Sequence, residues 1–123
     1  MSRIRGRDTL PELAVRSTAH QMGYRFRLHR RDLPGTPDLV FPSRHTVIFV
    51  HGCFWHCHAG CPKGRAPKSK LDYWQPKLKK TSARDRRNTG ELIRLGWRVA
   101  VLWQCEVKDR DYLQRRLRDI LDV

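Results

Sequence analysis

The chain has 123 residues, with 26 Lys and Arg against 12 Asp and Glu and a formal charge of +14. That length suits one domain with a real core, and the charge makes a polyanion, nucleic acid first, the expected partner. No apolar run approaches membrane-spanning length and the N-terminus lacks a secretory apolar segment, so the chain reads as cytosolic, with no membrane role.

Residues 1–8 read as a basic arm and 9–123 as the folded domain. Thr9-Leu-Pro-Glu12 opens a helix, with Thr9 as N-cap, Pro11 in the first turn and Glu12 at the third position; Gly23 ends it. Tyr24–Leu28 alternates, predicting a half-buried strand with Tyr24, Phe26 and Leu28 on one face. Leu33-Pro-Gly-Thr-Pro37 is a turn before a short strand, Asp38–Phe41, and a second turn leads to Val47–Val50, whose continuous apolar run suits a central strand. A Cys/His-rich loop and a basic connector at 62–70 follow, then Tyr73, Trp74, Pro76 and a lysine cluster. Thr81–Leu95 is predicted helical, with Thr81 or Ser82 as cap and Gly96 as stop. Trp97–Trp103 reads as the last strand and 109–122 as an amphipathic helix burying Leu113, Leu117, Ile120 and Leu121. The order α-β-β-β-α-β-α predicts one α/β domain.

His51-Gly-Cys-Phe-Trp-His-Cys-His-Ala-Gly-Cys61 concentrates the chemistry. In a reducing compartment cysteines read as metal ligands rather than disulfides. Cys53, His58 and Cys61, with Cys105 after the last strand, make a closed tetrahedral set for structural Zn²⁺; an all-thiolate site with Cys57 in place of His58 is also permitted by the spacing. Phe54 and Trp55, set among these donors in a polar loop, read as an apolar wedge able to open a base step. Trp97 and Trp103 read as core aromatics, and core packing is also the plain reading of Trp74.

Asp38, at the mouth of a strand, is placed to hold Mg²⁺, or more simply to cap a turn. Pairing of the two strands would bring it to the same edge as His51. Glu12 completes a capping box and can line that edge as well. His56 and Asp85 form a candidate acid–base pair, although Asp85 within Arg84-Asp-Arg-Arg87 reads on its own as a helix-surface salt bridge.

Taken together, Leu33-Pro-Gly-Thr-Pro-Asp38, Val47-Ile-Phe-Val-His-Gly-Cys-Phe-Trp-His56, Tyr73-Trp74, Arg84-Asp-Arg-Arg87 and Gly96-Trp-Arg-Val99 resemble the very short patch repair (Vsr) mismatch endonucleases. The resemblance implies a restriction-endonuclease-like single α/β domain, with a mixed central sheet flanked by helices and one structural zinc. It implies nicking of the thymine strand on the 5′ side of the thymine in a T·G mismatch, the lesion left by deaminated 5-methylcytosine, with Mg²⁺ as catalytic metal. By position it assigns the metal to Asp38 and the Val50 backbone carbonyl, and metal-bound waters to Glu12 and His51. It makes His56 the general base with Asp85 as its partner, Phe54, Trp55 and Trp74 the intercalating aromatics, and Cys53, His58, Cys61 and Cys105 the zinc ligands. The implied setting is the bacterial cytoplasm at the nucleoid. The implied partner is double-stranded DNA with a T·G mismatch, mismatch-repair proteins are candidate partners, and the enzyme is expected to act as a monomer. A restriction-type nuclease on matched DNA and a non-catalytic, zinc-braced nucleic-acid-binding module are the rival readings.

Overall fold

The computed structural model describes residues 9–52 and 71–122. The elements run α1 (Leu10–Gln21), β1 (Arg27–Leu28), β2 (Leu39–Phe41), a 3₁₀ turn (Pro42–Arg44), β3 (Thr46–His51), α2 (Leu71–Arg94), β4 (Arg98–Trp103) and α3 (Arg110–Leu121). The order matches the sequence expectation. The sheet is mixed, in the order β1-β2-β3-β4, with β1–β2 and β2–β3 antiparallel and β3–β4 parallel.

Strand alternation divides the core into two layers. Leu39, Phe41, Ile48 and Leu102 face one way, against Val15 and Ala19 of α1 and Leu113, Leu117, Ile120 and Leu121 of α3. Val40, Val47 and Phe49 face the other way, against Leu92 of α2 and Leu33 of the turn before β2. Both faces are therefore covered, which is why Val47–Val50 is apolar throughout instead of alternating.

The start of α1 follows its sequence signal, since the Thr9 side chain accepts from the Glu12 amide. Its end does too: Gly23 adopts φ +90°, and the Gly23 and Tyr24 amides donate to the His20 and Ala19 carbonyls. This is a Schellman closure, which a residue with a Cβ adopts only under strain.

Three expectations need correction. First, α2 starts at Leu71, ten residues before the expected cap, and contains Pro76. Pro76, the sixth residue of the helix, removes one intrahelical bond through its missing N–H, a loss that a helix of 24 residues absorbs. Thr81 is consequently no cap; its hydroxyl donates to the Lys77 carbonyl within the helix. Second, β1 keeps only Arg27 and Leu28 of the expected strand, and Leu28 is exposed. Tyr24 and Phe26 do pack inward, both against Phe41. Third, Trp97 precedes β4 and is only half-buried, stacked on His45 with Arg30 over its ring. Trp103 is likewise half-buried.

Candidate active site

The turn at 33–37 positions Asp38. The Thr36 amide donates to the Leu33 carbonyl, with Pro34 and a left-handed Gly35 (φ +75°) between them, the pattern of a type II turn. Gly35 also lies against α2, where an added Cβ would come within 3.0 Å of the Asn88 side chain. Glycine is thus required twice over. The turn delivers Asp38 directly ahead of β2, with 9% of its surface exposed.

The β2–β3 register then brings the strand ends together. Leu39 lies opposite Ile48, and the Val50 amide donates to Asp38 Oδ2 at 2.6 Å. Two residues further along this register Val50 would lie opposite Pro37, which has no N–H to offer a carbonyl. Because a strand residue's N–H and C=O leave on the same side, the Val50 carbonyl faces the Asp38 edge along with its amide.

Asp38, Val50 and His51 line a cleft of about 530 Å³. The opposite wall comes from α2, through Thr81, Arg84, Asp85 and Asn88. The structure therefore brings Asp38, His51 and Asp85 into one cavity, and Asp85 is half-buried rather than a plain surface residue. The His51 ring is packed beside Phe49 and edge-on to Trp103, at 5.6 and 5.3 Å between centroids.

Glu12 approaches Asp38 from α1. It is 2% exposed, paired with Arg16 one turn along the helix, and 2.8 Å from His29 Nε2. Glu12, His29 and Asp38 each offer a donor atom within 4.8 Å of the others. Burial pushes the Asp38 carboxyl up from 3.8 to about 7, and the neighbouring Glu12 adds to the rise, while the Val50 amide and Arg16 oppose it. Two buried carboxylates that repel one another are a fit for a divalent cation, which oxygen donors of this kind hold together with water.

This raised pKa has a measurable consequence. Between pH 4 and pH 7 the folded chain holds a proton at Asp38 that the unfolded chain releases. The stability it contributes is complete below the unfolded pKa and is lost as pH rises through the folded one. In Mg²⁺-free buffer, Asp38→Asn is therefore expected to be more stable than wild type at pH 8 by about 1–3 kcal/mol, with the gap closing toward pH 4. Urea unfolding at the two pH values reads the difference; a gap independent of pH would mean that Asp38 ionises like an ordinary carboxylate.

Sequence reasoning missed His29. On the alternating Tyr24–Leu28 pattern it falls, with Arg25 and Arg27, on the outward face. Its φ of 47° takes it out of extended geometry, so alternation no longer assigns its direction. Arg16 was missed as well, though its position four residues after Glu12 was a legible signal.

Several expected site residues cannot be placed in this way. Cys53, Phe54, Trp55, His56, Cys57, His58 and Cys61 lie outside the described residues, as does the side chain of Trp74, whose backbone belongs to α2. Cys105 is half-buried in the turn after β4. The Gln104 amide ties that turn to the His51 carbonyl at 2.9 Å. Outside the cleft, α2 exposes Lys77, Lys79, Lys80, Arg86, Arg87 and Arg94 to solvent. Among the described residues no helix is long and apolar enough to cross a membrane.

The family profile for DNA mismatch endonuclease Vsr matches residues 1–63. The chain is 62% identical to the type II nicking enzyme V.XorIIP of Xanthomonas oryzae pv. oryzae, over 99% of this chain and 89% of that protein. It is 40% identical to the type II nicking enzyme V.NmeAIP of Neisseria meningitidis, over 100% of this chain and 90% of the relative. It is also 40% identical to the DNA mismatch endonuclease Vsr of Escherichia coli, over 92% of this chain and 72% of the relative.

Proposed function

Because the chain belongs to the Vsr family of DNA mismatch endonucleases, we propose that it nicks the thymine strand of a T·G mismatch, on the 5′ side of the thymine, with Mg²⁺ as cofactor. The biological role is the start of very short patch repair of deaminated 5-methylcytosine, in the bacterial cytoplasm. The observation that carries this reading is the meeting of Asp38, His51 and Asp85 in one cleft, with Glu12 of α1 close to Asp38.

Asp38 and the Val50 carbonyl would hold the metal, and Glu12 and His51 would orient water beside it. When bound, Mg²⁺ supplies positive charge to the scissile phosphate and the leaving oxygen. His56 takes the proton of the attacking water, and Asp85, already on the cleft wall, orients that imidazole and stabilises its cation. The basic side chains of α2 neutralise backbone phosphates, fixing the duplex without reading its sequence. Phe54, Trp55 and Trp74 enter the stack beside the mismatch. A mismatched step unstacks more cheaply than a paired one, so the wedge itself favours the lesion. Cys53, His58, Cys61 and Cys105 would hold a structural zinc, which would brace the segment carrying the wedge.

The test compares end-labelled duplexes that differ only in one base pair, T·G against C·G, with Mg²⁺ present. A single nick on the thymine strand of the mismatched duplex alone is the expected result. Equal cutting of both duplexes would indicate a restriction-type enzyme, and no cutting a binding module.

A further inference from the structure

We propose that His29 is a nitrogen ligand of the catalytic metal, and that it shifts the site's preference from Mg²⁺ toward a first-row ion such as Mn²⁺. The inference rests on the reading that Asp38 anchors a divalent cation, and it adds a residue that the family resemblance does not assign.

Three donor atoms converge on one small volume. His29 Nε2 lies 2.8 Å from Glu12 Oε2 and 3.9 Å from Asp38 Oδ1. Donors bound to one octahedral ion at about 2.1 Å stand roughly 3 Å apart when adjacent and roughly 4.2 Å apart when opposite, so these spacings suit a shared ion. The three donors come from α1, from the residue after β1, and from the residue before β2, so the fold assembles them from separate pieces of chain.

A second observation points to a ligand. His29 Nε2 is buried and makes no hydrogen bond. Glu12 Oε2 lies 2.8 Å away as an ion-pair partner, with no hydrogen bond between the two. Glu12 Oε2 meanwhile has its own partner in Arg16. A buried imidazole nitrogen that faces two carboxylates without a hydrogen bond is costly, and a cation among the three donors would satisfy it. The left-handed φ of 47° at His29 shows that the backbone departs from its favoured region to present this ring.

The chemistry then selects the ion. Mg²⁺ takes oxygen ligands and keeps its waters, whereas imidazole suits first-row transition ions; Mn²⁺ accepts carboxylates and imidazole together. An imidazole beside the Asp38 carboxylate, with Glu12 orienting water next to it, therefore matches Mn²⁺ better than Mg²⁺.

The test measures Mn²⁺ and Mg²⁺ binding to the DNA-free protein by electron paramagnetic resonance titration and Mg²⁺ competition. It uses wild type, His29→Asn, His29→Gln and Asp38→Ala. Asn tolerates the left-handed backbone but is too short to ligate, while Gln keeps the reach and replaces nitrogen by oxygen. His29→Asn is expected to weaken Mn²⁺ binding about tenfold or more and Mg²⁺ binding less than about threefold. The coupling of a directly bonded ¹⁴N, visible by electron spin echo in the wild type, should vanish in both His29 variants. An equal loss for the two ions, or unchanged nitrogen coupling, overturns the assignment and leaves His29 as a support for Glu12. The control separates the two claims: metal binding that survives Asp38→Ala would overturn the underlying reading of the centre, whatever His29 does.

Discussion

Asp38→Ala is expected to lower nicking of a T·G duplex by at least about 10³-fold while leaving the protein folded and bound to DNA. The loss is large because Asp38 stands where three arrangements meet: the Val50 peptide edge, the Glu12–His29 pair and the cleft wall of α2. Glu12 is a poor replacement, since it already engages Arg16. The fold should survive for a balanced reason. Removing the carboxylate leaves the Val50 amide without its acceptor, a cost of about 1–3 kcal/mol, but it also removes a buried charge beside Glu12. DNA affinity should persist because it comes from the basic surface, including α2, rather than from the cleft. Single-turnover nicking and mobility shift on the same mismatched duplex read the two effects separately. Undiminished nicking by the variant would remove Asp38 from the reaction centre.

Cys105→Ser is expected to have the largest effect on stability. The turn that holds Cys105 is fixed at both ends: the Gln104 amide bonds to His51 across the parallel pair, and the Glu106 carboxylate accepts the Trp103 amide at 3.0 Å. In sequence, Cys105 lies two residues past the end of β4, as Cys53 lies two residues past the end of β3. A zinc shared by these thiolates would close the ends of the two paired strands. Structural zinc is folding energy, so losing one thiolate should lower stability by about 3 kcal/mol or more, roughly 10–15 °C in Tm for a chain of this size. Wild type should carry one zinc per chain by elemental analysis, and the variant substantially less. Cys57→Ser and His58→Ala distinguish the two ligand sets, because only the true ligand should release the metal. A zinc-free wild type, or a Cys105→Ser protein of unchanged Tm, would remove the zinc from the account.

How far the sequence could be read depended on whether a feature was local. The start of α1 was legible because Thr9, Pro11 and Glu12 form a cap within one turn. The core face of α3 was legible because Leu113, Leu117, Ile120 and Leu121 repeat at helical spacing, and all four are buried. The start of α2 was not, because Pro76 reads as a breaker and only the whole 24-residue helix makes its single lost bond tolerable. Asp85 misled for a similar reason. Its charged neighbours describe a solvated helix face, and only packing of α2 against the 33–37 turn sets it on the cleft wall.

By itself, the sequence determined the order of the elements, the two-sided burial of β3 and the family, since caps, periodicity and short motifs are written within a few residues of one another. The tertiary structure alone decided that Glu12, His29 and Asp38 converge, and that Asp38, His51 and Asp85 share one cavity. Those groups come from five separate stretches of chain. Their meeting depends on the β2–β3 register, on a left-handed residue after β1 and on the layer in which each helix packs, and only long-range packing fixes these.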